Sequence, residues 1–200
     1  MGKKRRTTRA AEDQARIAVP IFKKECRTLE GLEAEFKRHL QATIDLGHQS
    51  GIEMSDGGND YDQLLLRHGK MYQGRLLSDS VPAWKRWKKN VKPQLQDCFC
   101  NAASFAVDHE QASYFEGYWL GPLPALHAWN MVDGQIIDFT LELVEKKLKR
   151  KPDLACLYFG VQVPTIFVAE QIASTEEFAQ VADLYLQQMD RPRKRRPPSA

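Results

Sequence analysis

Apolar side chains recur at steps of three and four along residues 28–46. Leu29, Leu32, Phe36, Leu40 and Ile44 fall on one face, and Gly47 offers a stop. That spacing predicts an amphipathic helix. His48 to Asp60 carries Ser55, Asp56, Gly57 and Gly58 and reads as loop. A weaker helical pattern covers 61–76, interrupted by Gly69 and Gly74. Residues 82–91 read as a helix with Pro82 at its start and Pro93 past its end. Trp84, Trp87 and Val91 share one stripe, while Lys85, Arg86, Lys88 and Lys89 cover the rest. Residues 98–109 form a small, Ala-rich helix.

After residue 109 the period changes. Segments 113–120, 126–132 and 135–140 are rich in aromatic and β-branched residues and predict strands. A short basic helix over 141–150 and a strand over 156–163, backed by Pro164, follow. Ser174 and Glu177 make a capping box for a last helix, 175–189, with Phe178, Val181, Ala182 and Tyr185 on one face. No internal repeat is visible. The order predicts an α+β fold: N-terminal helices, then a mainly antiparallel sheet, with the 98–109 helix carrying the candidate nucleophile. The expected organisation is a single domain over 11–190, with a helical region at 11–93 and a helix-plus-sheet core at 94–190.

Composition narrows the function classes. A 200-residue chain with 42% hydrophobic residues holds a real core and is not wholly disordered. No run of 18 apolar residues exists, so no membrane partner is expected. No secretory leader is recognisable, so a cytoplasmic location is expected. Arg6 stands where an N-myristoylation pattern needs Ser or Thr. The net charge of +3 hides an uneven distribution. Residues 1–10 and 191–200 each carry five basic groups and no acid, and read as disordered basic tails. The body between them holds 19 basic groups against 26 acids, a net of −7. The tails would find polyanions, including nucleic acid, at low salt, and in a eukaryotic cell they could act as nuclear signals. Basic groups interleaved with Trp84 and Trp87 fit single-stranded nucleic acid, but the helical spacing of the two indoles favours packing into a core.

Four cysteines (Cys26, Cys98, Cys100 and Cys156) without an export signal point to free thiols rather than a disulfide scaffold. Cys98-x-Cys100 is too closely spaced for a zinc knuckle, so neither metal nor other cofactor is expected. Asp133-Gly134 predicts a two-residue type I′ hairpin turn, which sets a register of Val132 with Gln135, Met131 with Ile136, Asn130 with Ile137 and Trp129 with Asp138. His127 then shares a face with Trp129 and lies diagonal to Asp138, within reach of a hydrogen bond. Cys98 opens a helix, where unpaired N–H groups and the positive end of the dipole favour a thiolate. The set reads as nucleophile (Cys98), general acid/base (His127) and orienting carboxylate (Asp138). Backbone N–H groups at the helix start, with Gln96, would make an oxyanion hole. The competing readings are structural: Cys98 as a small buried residue, His127 as a satisfied core histidine, Asp138 as a cap. Cys100 reads as core or as a support behind the site, and Cys156 as strand core. His39, His48, His68 and His109 have no organised partners and read as surface residues.

Cys98-Phe-Cys-Asn101-Ala, Tyr114-Phe-Glu116-Gly117-Tyr118, His127-Ala-Trp129, Asp133-Gly134, Ile137-Asp138-Phe-Thr140 and Tyr158-Phe-Gly160-Val161 together resemble a set of little-characterised bacterial and phage proteins. The order Cys, His, Asp, with the Cys on a helix and the others on adjacent strands, is also similar to that of papain-like and transglutaminase-like thiol enzymes. The resemblance covers about 98–163, roughly a third of the chain. It implies a papain- or transglutaminase-like core and carries the three roles onto Cys98, His127 and Asp138, with a supporting one for Asn101 or Glu116. Where that set has Pro after the Asp, this chain has Phe139. The reading is a cysteine-dependent hydrolase or acyltransferase acting on an amide or thioester carbonyl of a protein or peptide-like substrate. The alternative is a non-catalytic phage or mobile-element binding protein on the same scaffold, contacting a host protein or nucleic acid.

Overall fold

The periodicity that begins at Leu29 produces a helix because Phe36, Leu40 and Ile44 all bury on one side of it. The computed structural model describes residues 28–50, 58–75, 82–121, 123–148, 155–175 and 180–190. Helix α1 spans Leu29–Ser50 and α2 spans Gly58–His68, followed by strand β1 (Lys70–Arg75). Helix α3 (Pro82–Val91) and α4 (Cys98–Asp108) lead into β2 (Ser113–Leu120), β3 (Pro124–Val132) and β4 (Gln135–Ile137). Helix α5 (Phe139–Lys147), β5 (Ala155–Val163), α6 (Thr165–Thr175) and α7 (Ala182–Asp190) complete the described chain. The fold is α+β. The expected tails (1–10 and 191–200), Cys26, Glu177 and Phe178 lie outside the described residues.

All five strands pair antiparallel in the order β1-β5-β2-β3-β4. The sheet is curled: an atom added as Cβ on Gly74 of β1 would lie 2.9 Å from the Ile136 side chain of β4, although the two strands are at opposite ends of that order. One side of the sheet packs on α1, α2, α4 and α7 through Phe36, Leu65, Ala102, Phe159 and Leu186. The inner side of the curl holds Phe115, Trp129, Ile136, Leu141, Cys156 and Tyr158. A third cluster seats α3: Trp84 and Trp87 are 6% and 7% exposed and pack on Phe105 and Phe139. Their faces are therefore closed to base stacking, and the two indoles pack into the core while Val91, the third member of the stripe, is exposed.

Several expectations change. Residues 61–76 are not one helix: the pattern breaks at Gly69, and 70–75 pair with β5, so the 11–93 region contributes a strand to the sheet. Gly47 does not end α1, because a lone Gly costs only about 1 kcal/mol in a long helix. The strand expected over 135–140 ends at Ile137, where Asp138 caps α5. Ser174 is not a helix start. It lies in the last turn of α6, its hydroxyl donating to the Gln171 carbonyl, and the final helix begins at Ala182.

Candidate functional site

The approach to Cys98 is shaped by two left-handed residues. Lys92 (φ 52) follows α3 and closes it, its N–H donating to the Lys88 carbonyl at 3.0 Å. Gln96 (φ 64) then turns the chain into α4. Asp97 is the cap residue of α4 but makes no side-chain cap bond, which leaves the first-turn N–H groups without that partner. Asn101 holds this loop from inside the helix. Its Nδ2 donates to the Gln94 carbonyl and to Thr140 Oγ1, both at 2.7 Å, and its Oδ1 accepts from the Gln94 N–H at 3.0 Å. The helix start is thereby tied to the start of α5, whose preceding residue is Asp138.

His127 lies on β3, where it pairs with Gly117 of β2, which in turn pairs with Gly160 of β5. The last pair packs backbone on backbone: a Cβ on Gly160 would sit 2.1 Å from the Glu116 carbonyl oxygen, so neither position accepts a side chain. The Asp133-Gly134 turn has positive φ at both residues (51° and 74°) and pairs Asn130 with Ile137, Met131 with Ile136 and Val132 with Gln135. Trp129 has no ladder partner in β4, because Asp138 has already left the strand.

Leaving the strand fixes the carboxylate. Asp138 Oδ1 accepts the Leu141 N–H at 2.8 Å, while Oδ2 accepts His127 Nε2 at 2.6 Å and the Tyr158 hydroxyl at 2.8 Å. Only 1% of the Asp138 side chain and 11% of the His127 side chain are exposed. Burial alone would disfavour a charged imidazole. The Asp138 charge, its hydrogen bond and a hydrogen bond with the Cys98 thiol outweigh it and push His127 up to about 10. At neutral pH the ring is an imidazolium that donates from Nε2 to Asp138, which leaves Nδ1 as the ring nitrogen for Cys98.

Tyr158 was not singled out as a site residue from sequence. It is fully buried, stacked on Trp129 at 4.7 Å and 30°, and burial together with the Asp138 charge holds its hydroxyl protonated. Its segment carried part of the sequence resemblance. That β5 inserts between β1 and β2, and so reaches Asp138, has no local signal. Cys156 sits on the same strand face. Burial first, then the Asp138 charge, push its thiol up to about 11. Cys100 is held above the usual thiol range by burial and the neighbouring Asp97 charge, with Ser104 Oγ 4.0 Å away. Of the three described cysteines, Cys98 is the one that meets His127.

The other named residues separate from this cluster. Gln96 is exposed in the turn before Cys98. Glu116 is completely buried on the opposite side of the sheet, where it accepts the Tyr114 hydroxyl at 2.7 Å and the N–H groups of Val181 and Ala182 at 2.9 Å. It caps α7 from 65 residues away. Among the described residues no group of three or more His, Cys, Asp or Glu is placed to hold a metal ion, and no helix is long and apolar enough to cross a membrane. No protein-family model, curated protein or solved structure matches the chain.

Proposed function

We propose that the protein is a cysteine-dependent hydrolase or acyltransferase whose nucleophile is Cys98, with His127 as general acid/base and Asp138 as orienting carboxylate. The observation that carries this reading is the short His127–Asp138 bond on one ring nitrogen with the Cys98 thiol as a further hydrogen-bond partner of the same ring. In the first step the Cys98 thiolate beside the imidazolium bonds through Sγ to the carbonyl carbon of an amide, and the carbonyl electrons move onto oxygen. First-turn N–H groups of α4 face that oxyanion. The carbonyl re-forms as the C–N bond breaks, and His127 gives its proton to the departing nitrogen. Water, or an acceptor amine, then attacks the thioester as His127 takes its proton, and Cys98 leaves as the thiolate, which restores the starting pair. Asp138 keeps the ring oriented throughout and stabilises its charge whenever it is protonated. Its own geometry is secured by the helix cap and by Tyr158.

The test is alkylation by iodoacetamide across pH. The unaltered chain should contain one thiol that reacts faster than the others, and Cys98→Ala should abolish that fast phase. Reactivity that is slow, or that survives Cys98→Ala, sinks the reading. The papain- or transglutaminase-like core implied by the sequence resemblance belongs to the same proposal, supported by the Cys–His–Asp chain order on a helix, a strand and the cap that follows the next strand.

A further inference from the structure

Helices α3 and α5 each turn one face toward a cleft of about 370 Å³. From α3 and the residue after it come Lys85, Lys88, Lys89 and Lys92, at the three- and four-residue steps that align one helix face over about 10 Å. From α5 come Phe139, Glu142, Leu143 and Lys146, at the same steps. Five ammonium groups thus surround one carboxylate, in a body whose sequence is otherwise net acidic. Glu142 is 1% exposed and braces the walls, binding Lys88 at 2.8 Å and Lys146 at 2.7 Å. Lys85, Lys89 and Lys92 make no ion pair with a described residue, so no described carboxylate offsets their charges at the cleft.

We infer that this cleft binds an acidic stretch of the polypeptide on which Cys98 acts; the inference rests on the thiol-enzyme reading above. Two features choose a peptide over a nucleic acid. Its donors among the described residues are lysines, with no arginine fork, and the ring at its floor is closed: Phe139 is 2% exposed and lies under Lys88 Nζ at 5.8 Å, so no described aromatic face is offered to a base. Leu143 and Pro93 give the floor an apolar strip for side chains between the acids. The cleft also adjoins the site along the chain. Phe139 follows Asp138 directly, and Pro93 precedes Cys98 by five residues, at most about 18 Å of backbone. An extended peptide of about six residues spans that length, so acidic residues held in the cleft can place a carbonyl at the thiol.

The probe is a fluorescein-labelled, end-capped octapeptide with four Glu and two Leu, followed by anisotropy on the full chain. Controls are the same peptide with Lys in place of Glu, and a thymidine octanucleotide. The triple variant Lys85→Glu, Lys89→Glu, Lys92→Glu alters only exposed side chains, and its fold is checked by circular dichroism. The expected result is acidic-peptide binding that weakens with salt, is at least tenfold weaker in the triple variant, and persists in Cys98→Ala. Equal peptide affinity in the unaltered and triple-variant chains would assign any binding to the basic ends of the sequence and overturn the inference. Oligonucleotide binding stronger than peptide binding and lost in the triple variant would overturn it in favour of a nucleic-acid cleft. The alkylation profile of the unaltered chain judges the thiol reading separately. A reactive Cys98 without peptide binding leaves that reading standing and rejects the cleft, whereas peptide binding with an inert Cys98 rejects the thiol reading and, with it, the cleft as a site for the substrate of Cys98.

Discussion

Asp138 and Glu116 are two solutions to one problem, on opposite sides of the same sheet. Each is a buried carboxylate that caps a helix, Asp138 on α5 and Glu116 on α7, and each accepts a tyrosine hydroxyl, from Tyr158 and Tyr114 respectively. Only Asp138 faces a base. His127 supplies a cation 2.6 Å away, and the pair holds a full charge separation in the interior. Glu116 has donors but no cation. Burial pushes it up to about 7, against the bonds from Val181, Ala182 and Tyr114 that lower it. The same carboxylate–tyrosine–cap unit is thus a strut in one place and the anchor of a candidate catalytic histidine in the other. The difference is the one residue set against it.

The strongest way to break this comparison is Asp138→Asn. The amide retains an oxygen to accept the Leu141 N–H but removes the charge that sustains the imidazolium. His127 should fall from about 10 toward its ordinary 6.5, read by NMR of the ring. Fast alkylation of Cys98 should drop at least about tenfold, and turnover of a substrate, once found, by about 10²- to 10⁴-fold. A ring that titrates near 10 without the carboxylate would show that Asp138 is a cap and no more. In the unaltered protein the sign follows from the raised value. The stability His127 contributes is complete below about 6.5 and is lost as pH climbs through about 10.

How far the two units could be read in advance differs for a physical reason. The Asp138 side rests on local rules: a turn that demands positive φ at Asp133 and Gly134, a register that follows from it, and a helix-start thiol. Even its error was local, since an Asp ahead of Phe139-Thr140-Leu141 serves as a helix cap as readily as it ends a strand. The Glu116 side depends on α7 meeting β2 across 65 residues, and nothing near Glu116 announces that partner. The Tyr158 contact was hidden for the same reason, because β5 pairs with both β1 and β2. Strand β1 was obscured differently, as six residues beside Gly69 and containing Gly74 are too few to display a period of two.

Glu116→Gln should separate the strut from the site. A carboxyl raised to about 7 in the folded chain binds its proton more tightly there than when unfolded. Stability from this group is therefore fully present below about 4.5 and is lost as pH rises through about 7, by an amount on the order of 3 kcal/mol. Gln cannot ionise, so denaturant midpoints of the variant should lack this fall, while Cys98 alkylation keeps its profile. A changed alkylation profile would mean that the two sides of the sheet are coupled and that Glu116 supports the site after all.

The smallest expected effects come from the matched pair Tyr158→Phe and Tyr114→Phe. Each removes one hydroxyl from a buried carboxylate and should cost about 1–3 kcal/mol of stability. Their chemical consequences should diverge. Without the Tyr158 hydroxyl, Asp138 Oδ2 keeps only His127 among the partners described for it, the proton is drawn more strongly toward the pair, and His127 should titrate slightly higher. Without the Tyr114 hydroxyl, Glu116 loses a bond that favours its charged form and should titrate higher itself, with His127 unmoved. Ring NMR on both variants tests this. Equal movement of His127 in the two would erase the distinction between anchor and strut, because the sheet would then be transmitting a general loss of packing rather than a change at one oxygen.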